Sequence, residues 1–294
     1  EIVIVDNDSQ DGSFAEITAH VAANGWTNIR VIQSGHNGGY GAGNNVGIRA
    51  GMSDGTKPDY VYILNSDAFP KPDAIRVLYD HLNTTPETGF AGSFIMGEDD
   101  VQHTTTFRFP SILGEFEGSV GFGPVSKLLK SYRVPRELSQ TAQVDWLAGA
   151  SVMMRQSVLD EIGLFDEAFF LYFEETDLCR RAQKAGYRVM FMADSIVVHL
   201  GSVSTGMKEW TRVPDYWFAS RWYYLTKNHG RIYAACATAL HLIGGGLNWL
   251  RCKLTGKHYG RAPHFLRTLA VHDFAALFKS QRELPAKVRP QIGE

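Results

Sequence analysis

Cysteine is scarce. The three present, Cys179, Cys236 and Cys252, are odd in number and widely spaced, which argues against a disulfide framework or a paired-cysteine zinc site and fits a reducing, cytosolic setting. An excess of one charge is also missing, because 29 Lys and Arg meet 31 Asp and Glu for a formal net charge of -2. No global field then draws the chain to nucleic acid, and no such partner is expected. Internal repeats and low-complexity tracts are absent. The one long uncharged run, Ile232 to Leu250, has a length that just reaches across a bilayer, but Gly244-Gly245-Gly246, His241 and Asn248 weaken that reading. Lys227 and Arg231 precede the run and Arg251, Lys253 and Lys257 follow it. An amphipathic or re-entrant segment at a membrane surface is therefore the favoured expectation, with a buried helical hairpin as the alternative.

What is present reads as an α/β protein. Ile2 to Val5 is an apolar β-branched run that ends in the turn-rich Asp6-Asn7-Asp8-Ser9-Gln10-Asp11-Gly12-Ser13, and a helix is predicted over Phe14 to Ala23. Ile29 to Ile32 and Tyr60 to Leu64 predict further strands, the latter ending in Asn65-Ser66-Asp67. A helix is expected over Asp73 to Leu82, a strand over Gly89 to Ile95, a helix near Ser157 to Ile162, and two strands over Tyr187 to Met192 and Ile196 to His199. Strands alternating with helices predict a doubly wound, mostly parallel sheet flanked by helices. Ligands of such sheets sit beyond the carboxyl ends of the strands, so Asp6 and Asp67 are expected to face one crevice. Between Gly97 and Gln143 the pattern dissolves into Gly, Pro, Ser and basic residues, as expected of a long mobile excursion. A helical extension is expected from about residue 206 to the end, after a catalytic domain over 1–205.

Three groups carry chemistry. After the aromatic run Phe169-Phe170-Leu171-Tyr172-Phe173 come Glu174, Glu175 and Asp177. Like charges crowded beside apolar surface push pKa values apart, which suits a general base, although acids at a helix start with Arg180 and Arg181 a turn later also complement a helix dipole. Asp67 and His199, each at a strand end, offer a carboxylate and an imidazole to a divalent cation that keeps positions open for phosphate oxygens. In Asn37-Gly38-Gly39-Tyr40-Gly41-Ala42-Gly43-Asn44-Asn45 the glycines alternate, so the loop does not fit a dinucleotide fingerprint and a nicotinamide enzyme is disfavoured.

In this order along the chain, Asp6-Asn7, the Asn37 to Asn45 loop, Asn65-Ser66-Asp67, Trp146-Leu147-Ala148-Gly149, Phe173 to Arg181 and His199 resemble the inverting nucleotide-sugar glycosyltransferases of the GT-A fold, family 2 type, especially rhamnosyltransferase-like members. The resemblance runs from residue 1 to about residue 205. It implies that Asp6 and Asn7 bind the nucleotide with the loop residues Asn37, Gly38, Gly39 and Asn45, and that Asp67 and His199 hold Mg2+ or Mn2+ at the diphosphate. Asn65 stands where the family's metal motif begins with an acid, which puts strong metal dependence in question. Trp146 and Gly149 match the segment lining donor sugar and acceptor. Glu174-Glu175 matches the catalytic acid pair, with Glu175 chosen as base and Glu174 or Asp177 as tuning group or alternative base. The family also implies a dTDP-rhamnose or other nucleotide-sugar donor and a polyprenyl-diphosphate-linked or polysaccharide acceptor, met peripherally at the cytoplasmic face of the membrane. Family members begin with a strand ahead of the segment equivalent to Glu1, so the chain is expected to be a fragment or an incomplete version. A non-catalytic sugar-nucleotide-binding remnant and a sugar nucleotidyltransferase are the competing readings.

Overall fold

A computed structural model describes residues 1–200 and 211–279. Its first unit is β1 (Ile2–Asp6), α1 (Ser13–Ala23) and β2 (Ile29–Gln33), and β1 and β2 pair in parallel as a two-stranded sheet. Helix α2 (Tyr40–Arg49) leads to β3 (Tyr60–Leu64), the short β4 (Ala68–Pro70), α3 (Ala74–Thr84) and β5 (Thr88–Met96). There follow β6 (Thr106–Phe107), α4 (Ile112–Val120), α5 (Gly123–Leu128), β7 (Pro135–Arg136), β8 (Ala142–Gln143) and β9 (Trp146–Leu147). Next are β10 (Ser151–Arg155), α6 (Gln156–Ile162), α7 (Glu174–Lys184) and β11 (Arg188–His199), and last the helices α8 (Asp215–His229), α9 (Arg231–Thr255) and α10 (Phe265–Leu277).

The main sheet runs β3-β10-β5-β11-β4, with β8 added on β11. It is mixed, and this corrects the expected mostly parallel sheet. Besides the β1–β2 pair, β5 and β11 pair in parallel, whereas β10 runs antiparallel to both its neighbours and β4 and β8 run antiparallel to β11. Side-chain alternation records which face a residue takes and is blind to strand direction. The two strands expected over 187–199 are one, β11, whose register against β5 shifts between Met192 and Ile196. That bulge broke the alternation in the sequence.

Both faces of the main sheet are covered. Phe90, Leu147, Val152, Phe165, Leu178 and Phe191 form the larger core cluster, while Leu78 and Leu82 of α3 pack with Ala91, Met153 and Met192 on the other side. The stretch expected as a mobile excursion contains α4, capped by Ser111, whose side chain accepts from the Gly114 N–H at 3.1 Å. It packs along α9, and Gly244 of α9 lies so close that an added Cβ would meet Ser119 Oγ at 2.2 Å. The partner that orders α4 thus lies more than a hundred residues downstream, beyond the reach of local pattern.

A buried ionic cluster joins α4 to the last three helices. Arg221 of α8, 1% exposed, pairs with Glu115 of α4 at 3.0 Å and Asp273 of α10 at 2.9 Å, and donates to Thr238 of α9. Burial alone would raise Glu115, but Arg221 and His241 hold it at about 2. The expected boundary at 205/206 lies outside the described residues.

Candidate active site

The head of α7 is set by an unusual turn. Tyr172 and Phe173 have φ of 69° and 72°, a left-handed conformation costing about 1–3 kcal/mol per non-glycine residue. Surrounding aromatics compensate: Phe173 packs on Trp217 and Tyr224, Tyr172 stacks on Tyr216, and Phe169 contacts Tyr223. The C-terminal helices therefore hold the turn that aims Glu174 and Glu175.

The three carboxylates have separate fates. Asp177, with its side chain 0% exposed, accepts from Arg181 Nε at 2.9 Å, Lys227 Nζ at 2.8 Å and Asn228 Nδ2 at 3.3 Å. That full coordination removes Asp177 from the candidates for base and makes it the anchor of α8 on α7. Glu174 is buried and leaves Oε2 without a partner; burial first, then the neighbouring Glu175 charge, raise its pKa well above the ordinary value. Glu175 is half-buried, its Oε2 likewise buried and without a partner, and it lines a small apolar cavity with Tyr40, Gly149, Phe165 and Cys179. Burial raises it to about 7, against the opposing pull of backbone hydrogen bonds. Both acids of the pair are thus held above the ordinary carboxylate range, Glu174 by burial and the neighbouring Glu175 charge, Glu175 by burial.

Of the stretch expected as a loop, Tyr40 to Asn45 open helix α2, and Gly38 and Gly39 ahead of them reach the same place by close packing. An added Cβ at Gly39, where φ is 88°, would lie 1.7 Å from the Phe170 carbonyl oxygen, which accepts from Tyr40 N–H at 3.1 Å. Gly38 is crowded by Ala42. Asn7 donates to Asn37 Oδ1 at 3.2 Å and to Gly39 O at 3.0 Å, so Asn7, Asn37 and Gly39 do come together at the end of β1. Asp6 beside them accepts from Ser9 N–H, and its buried Oδ2 has no partner.

Asn45 departs from its expected role. Fully buried, it donates to Phe165 O and Glu167 Oε1 at 2.9 Å and accepts from Phe165 N–H at 3.0 Å, so it clamps the 163–168 loop and has no group turned to a nucleotide. Trp146 likewise stacks on Phe107 and donates to Arg108 O at 2.9 Å, fastening the inserted stretch to the core. Gly149 accepts from Tyr40 Oη at 2.6 Å, and a Cβ there would come within 2.3 Å of that oxygen. Tyr40, which links Gly149 to the cavity of Glu175, was not among the expected site residues. Nor was Lys227, which bridges Asp166 and Asp177. The Asp177–Arg181 pair is spaced i,i+4 and was readable; the Lys227 bridge spans 50 residues and was not.

At the main sheet, His199 Nε2 lies 3.0 Å from Asp67 Oδ1 and 3.4 Å from Asn65 Nδ2. Among the described residues no group of three or more His, Cys, Asp or Glu is placed to hold a metal. The Asp67 carboxylate and the His199 imidazole are of the types that hold a divalent cation when phosphate oxygens complete the shell, whereas Asn65 turns its amide nitrogen to His199. Asp6 and Asp67 end strands of different sheets, the first β1 and the second just after β3.

The sheets and their flanking helices have the GT-A fold, which solved glycosyltransferases share. GalNAc-T7, solved with UDP, GalNAc and Mn2+, shares the fold at a TM-score of 0.55 and 12% identity, over 98% of this chain and 50% of that one. A mannosyltransferase of Pyrobaculum calidifontis in complex with GDP-Man and Mn2+ does so at 0.51 and 14%, over 96% and 72%. The chain belongs to glycosyl transferase family 2, whose family model matches residues 1–163. It is 31% identical over 215 residues to the N-acetylglucosaminyl-diphospho-decaprenol L-rhamnosyltransferase of Mycobacterium tuberculosis, covering 70% of this chain and 68% of that protein. It is also similar to rhamnosyltransferase WbbL of Escherichia coli, at 26% over 165 residues, 55% of this chain and 60% of that one.

Proposed function

We propose that the chain is an inverting glycosyltransferase that moves L-rhamnose from dTDP-rhamnose to a polyprenyl-diphosphate-linked sugar in cell-surface glycan synthesis, working at the cytoplasmic face of the membrane. The observation that carries the reading is the carboxylate pair at the head of α7, with Glu174 buried and Glu175 lining the apolar cavity beside Tyr40 and Gly149. The two rhamnosyltransferase relatives support the sugar, and the mycobacterial one supports the lipid-linked acceptor.

Glu175 takes the proton of the acceptor hydroxyl as its oxygen attacks the anomeric carbon, while the bond to the leaving diphosphate breaks on the opposite face. Glu174, buried against the base and raised above the ordinary carboxylate range, tunes it. Asp6, Asn7 and Asn37 bind the nucleotide portion. Asp67 and His199 would hold a divalent cation, which offsets negative charge on the diphosphate. Tyr40 keeps the Gly149 backbone and the base cavity in register through its 2.6 Å hydrogen bond.

Calorimetric titration with dTDP-, UDP- and GDP-sugars, with and without Mn2+ or Mg2+, followed by transfer to a polyprenyl-diphosphate acceptor, tests the proposal. Preferred binding of dTDP-rhamnose with product formation is expected, and Asp67→Ala should remove the metal's enhancement of both. Binding without turnover would overturn the enzyme reading, and indifference to the sugar nucleotide would overturn the donor.

A further inference from the structure

We infer that the outer face of α9 seats in the headgroup layer of an anionic lipid bilayer. Ile232, Ile243, Leu247, Leu250 and Leu254 are between 47% and 84% exposed, and exposed Cys236 and Ala239 fall among them. At 100° per residue these positions share about 80° of arc and run about 33 Å along the helix. The opposite side of α9, including Ala234, His241, Gly244 and Cys252, is buried. The helix is thus fixed to the protein by one face and offers a charge-free apolar stripe on the other, where a water-facing helix carries polar residues.

Charge identifies the occupant. From Arg231 to Lys279 there are seven Lys and Arg and a single acid, Asp273, which is buried and paired with Arg221. At the C-terminal end of the stripe Lys253 lies over the Trp249 ring at 5.3 Å and Arg251 over the Phe122 ring at 5.6 Å, and both rings are partly exposed. Aromatic rings and cations flanking an apolar stripe match the headgroup layer of an anionic membrane. A second copy of the chain would set like charge against like charge. Among the described residues no helix is long and apolar enough to cross a membrane, so α9 lies in the plane of the surface.

The inference deepens the proposed function and rests on it for its purpose, since a polyprenyl-linked acceptor is presented at that surface. Flotation of the full chain with phosphatidylglycerol-containing vesicles, with phosphatidylcholine vesicles alone, and at low and high salt tests it. Binding to the anionic vesicles that weakens with salt is expected. The double change Leu247→Glu and Leu250→Glu, at exposed positions, should lower the bound fraction by about tenfold or more while calorimetric binding of dTDP-rhamnose stays as in wild type. Absence of binding to anionic vesicles, or flotation of the double variant as wild type, would overturn the inference. So would a dimer in sedimentation that the double variant dissociates. Vesicle binding by a protein that neither binds nor transfers rhamnose would leave the docking face standing and overturn the function instead.

Discussion

Replacing Glu175 by Gln should slow transfer and stabilise the protein, the second effect in a pH-dependent way. Burial raises Glu175 from an ordinary 4.5 to about 7 in the folded chain. A group raised on folding contributes stability that is fully present below its unfolded pKa and lost as pH climbs through the folded value, so the window runs from 4.5 to about 7. At about 1.4 kcal/mol per unit the gap corresponds to about 3 kcal/mol. Because Glu175 retains contact with solvent, screening reduces the expected figure to about 1–2 kcal/mol. Gln keeps the shape and never ionises. At about pH 8 the variant should therefore melt about 2–6 °C above wild type, and the difference should shrink as the pH falls towards about 5. Transfer should drop by about 10²–10⁴, the range of a lost general base, and wild-type kcat/KM should rise with pH to a plateau above about 7. Scanning fluorimetry across this range, with transfer rates on the same preparations, makes both measurements. A melting difference that is independent of pH or of opposite sign would refute the burial argument, and retained transfer would refute the role as base.

Two further perturbations separate framework from chemistry. Asp177→Asn leaves Lys227 and Arg181 facing a neutral amide in a buried site, so urea unfolding should show a loss of about 3 kcal/mol or more; an unchanged midpoint would show that these contacts do not hold α8 to α7. Gly149→Ala places a methyl 2.3 Å from Tyr40 Oη and should lower both the melting temperature and the transfer rate, with partial recovery when Tyr40→Phe removes that oxygen; additive losses in the double variant would contradict the contact.

Much of the framework was legible because it is written locally. The β-branched runs of β1 and β3, the helices α1, α3 and α6, and the acids that open α7 each depend on neighbours within a turn or a strand, and they occur within a few residues of where their patterns predict. The inserted stretch was illegible for the converse reason: α4 is ordered by α9 and by Arg221, far along the chain. Asn45 and Trp146 were recognised as special, but not as the fastenings that their contacts make them. Motif position marks them, whereas their hydrogen bonds to Phe165 and Arg108 turn them inward.

From sequence alone came the α/β class, the ordered motifs that mark the family, and the residue types from which a base and a cation site can be made. Residue type and spacing suffice for those, since backbone propensity and side-chain chemistry travel with the residue. Tertiary structure alone separated the three carboxylates of α7: cations from α7 and α8 hold Asp177, burial raises Glu174 well above the ordinary range, and Glu175 lines an apolar cavity beside Tyr40. Strand direction and the apolar outer face of α9 were decided there too. Ionisation and exposure depend on what folding brings to within a few ångströms, and those neighbours are distant in the chain.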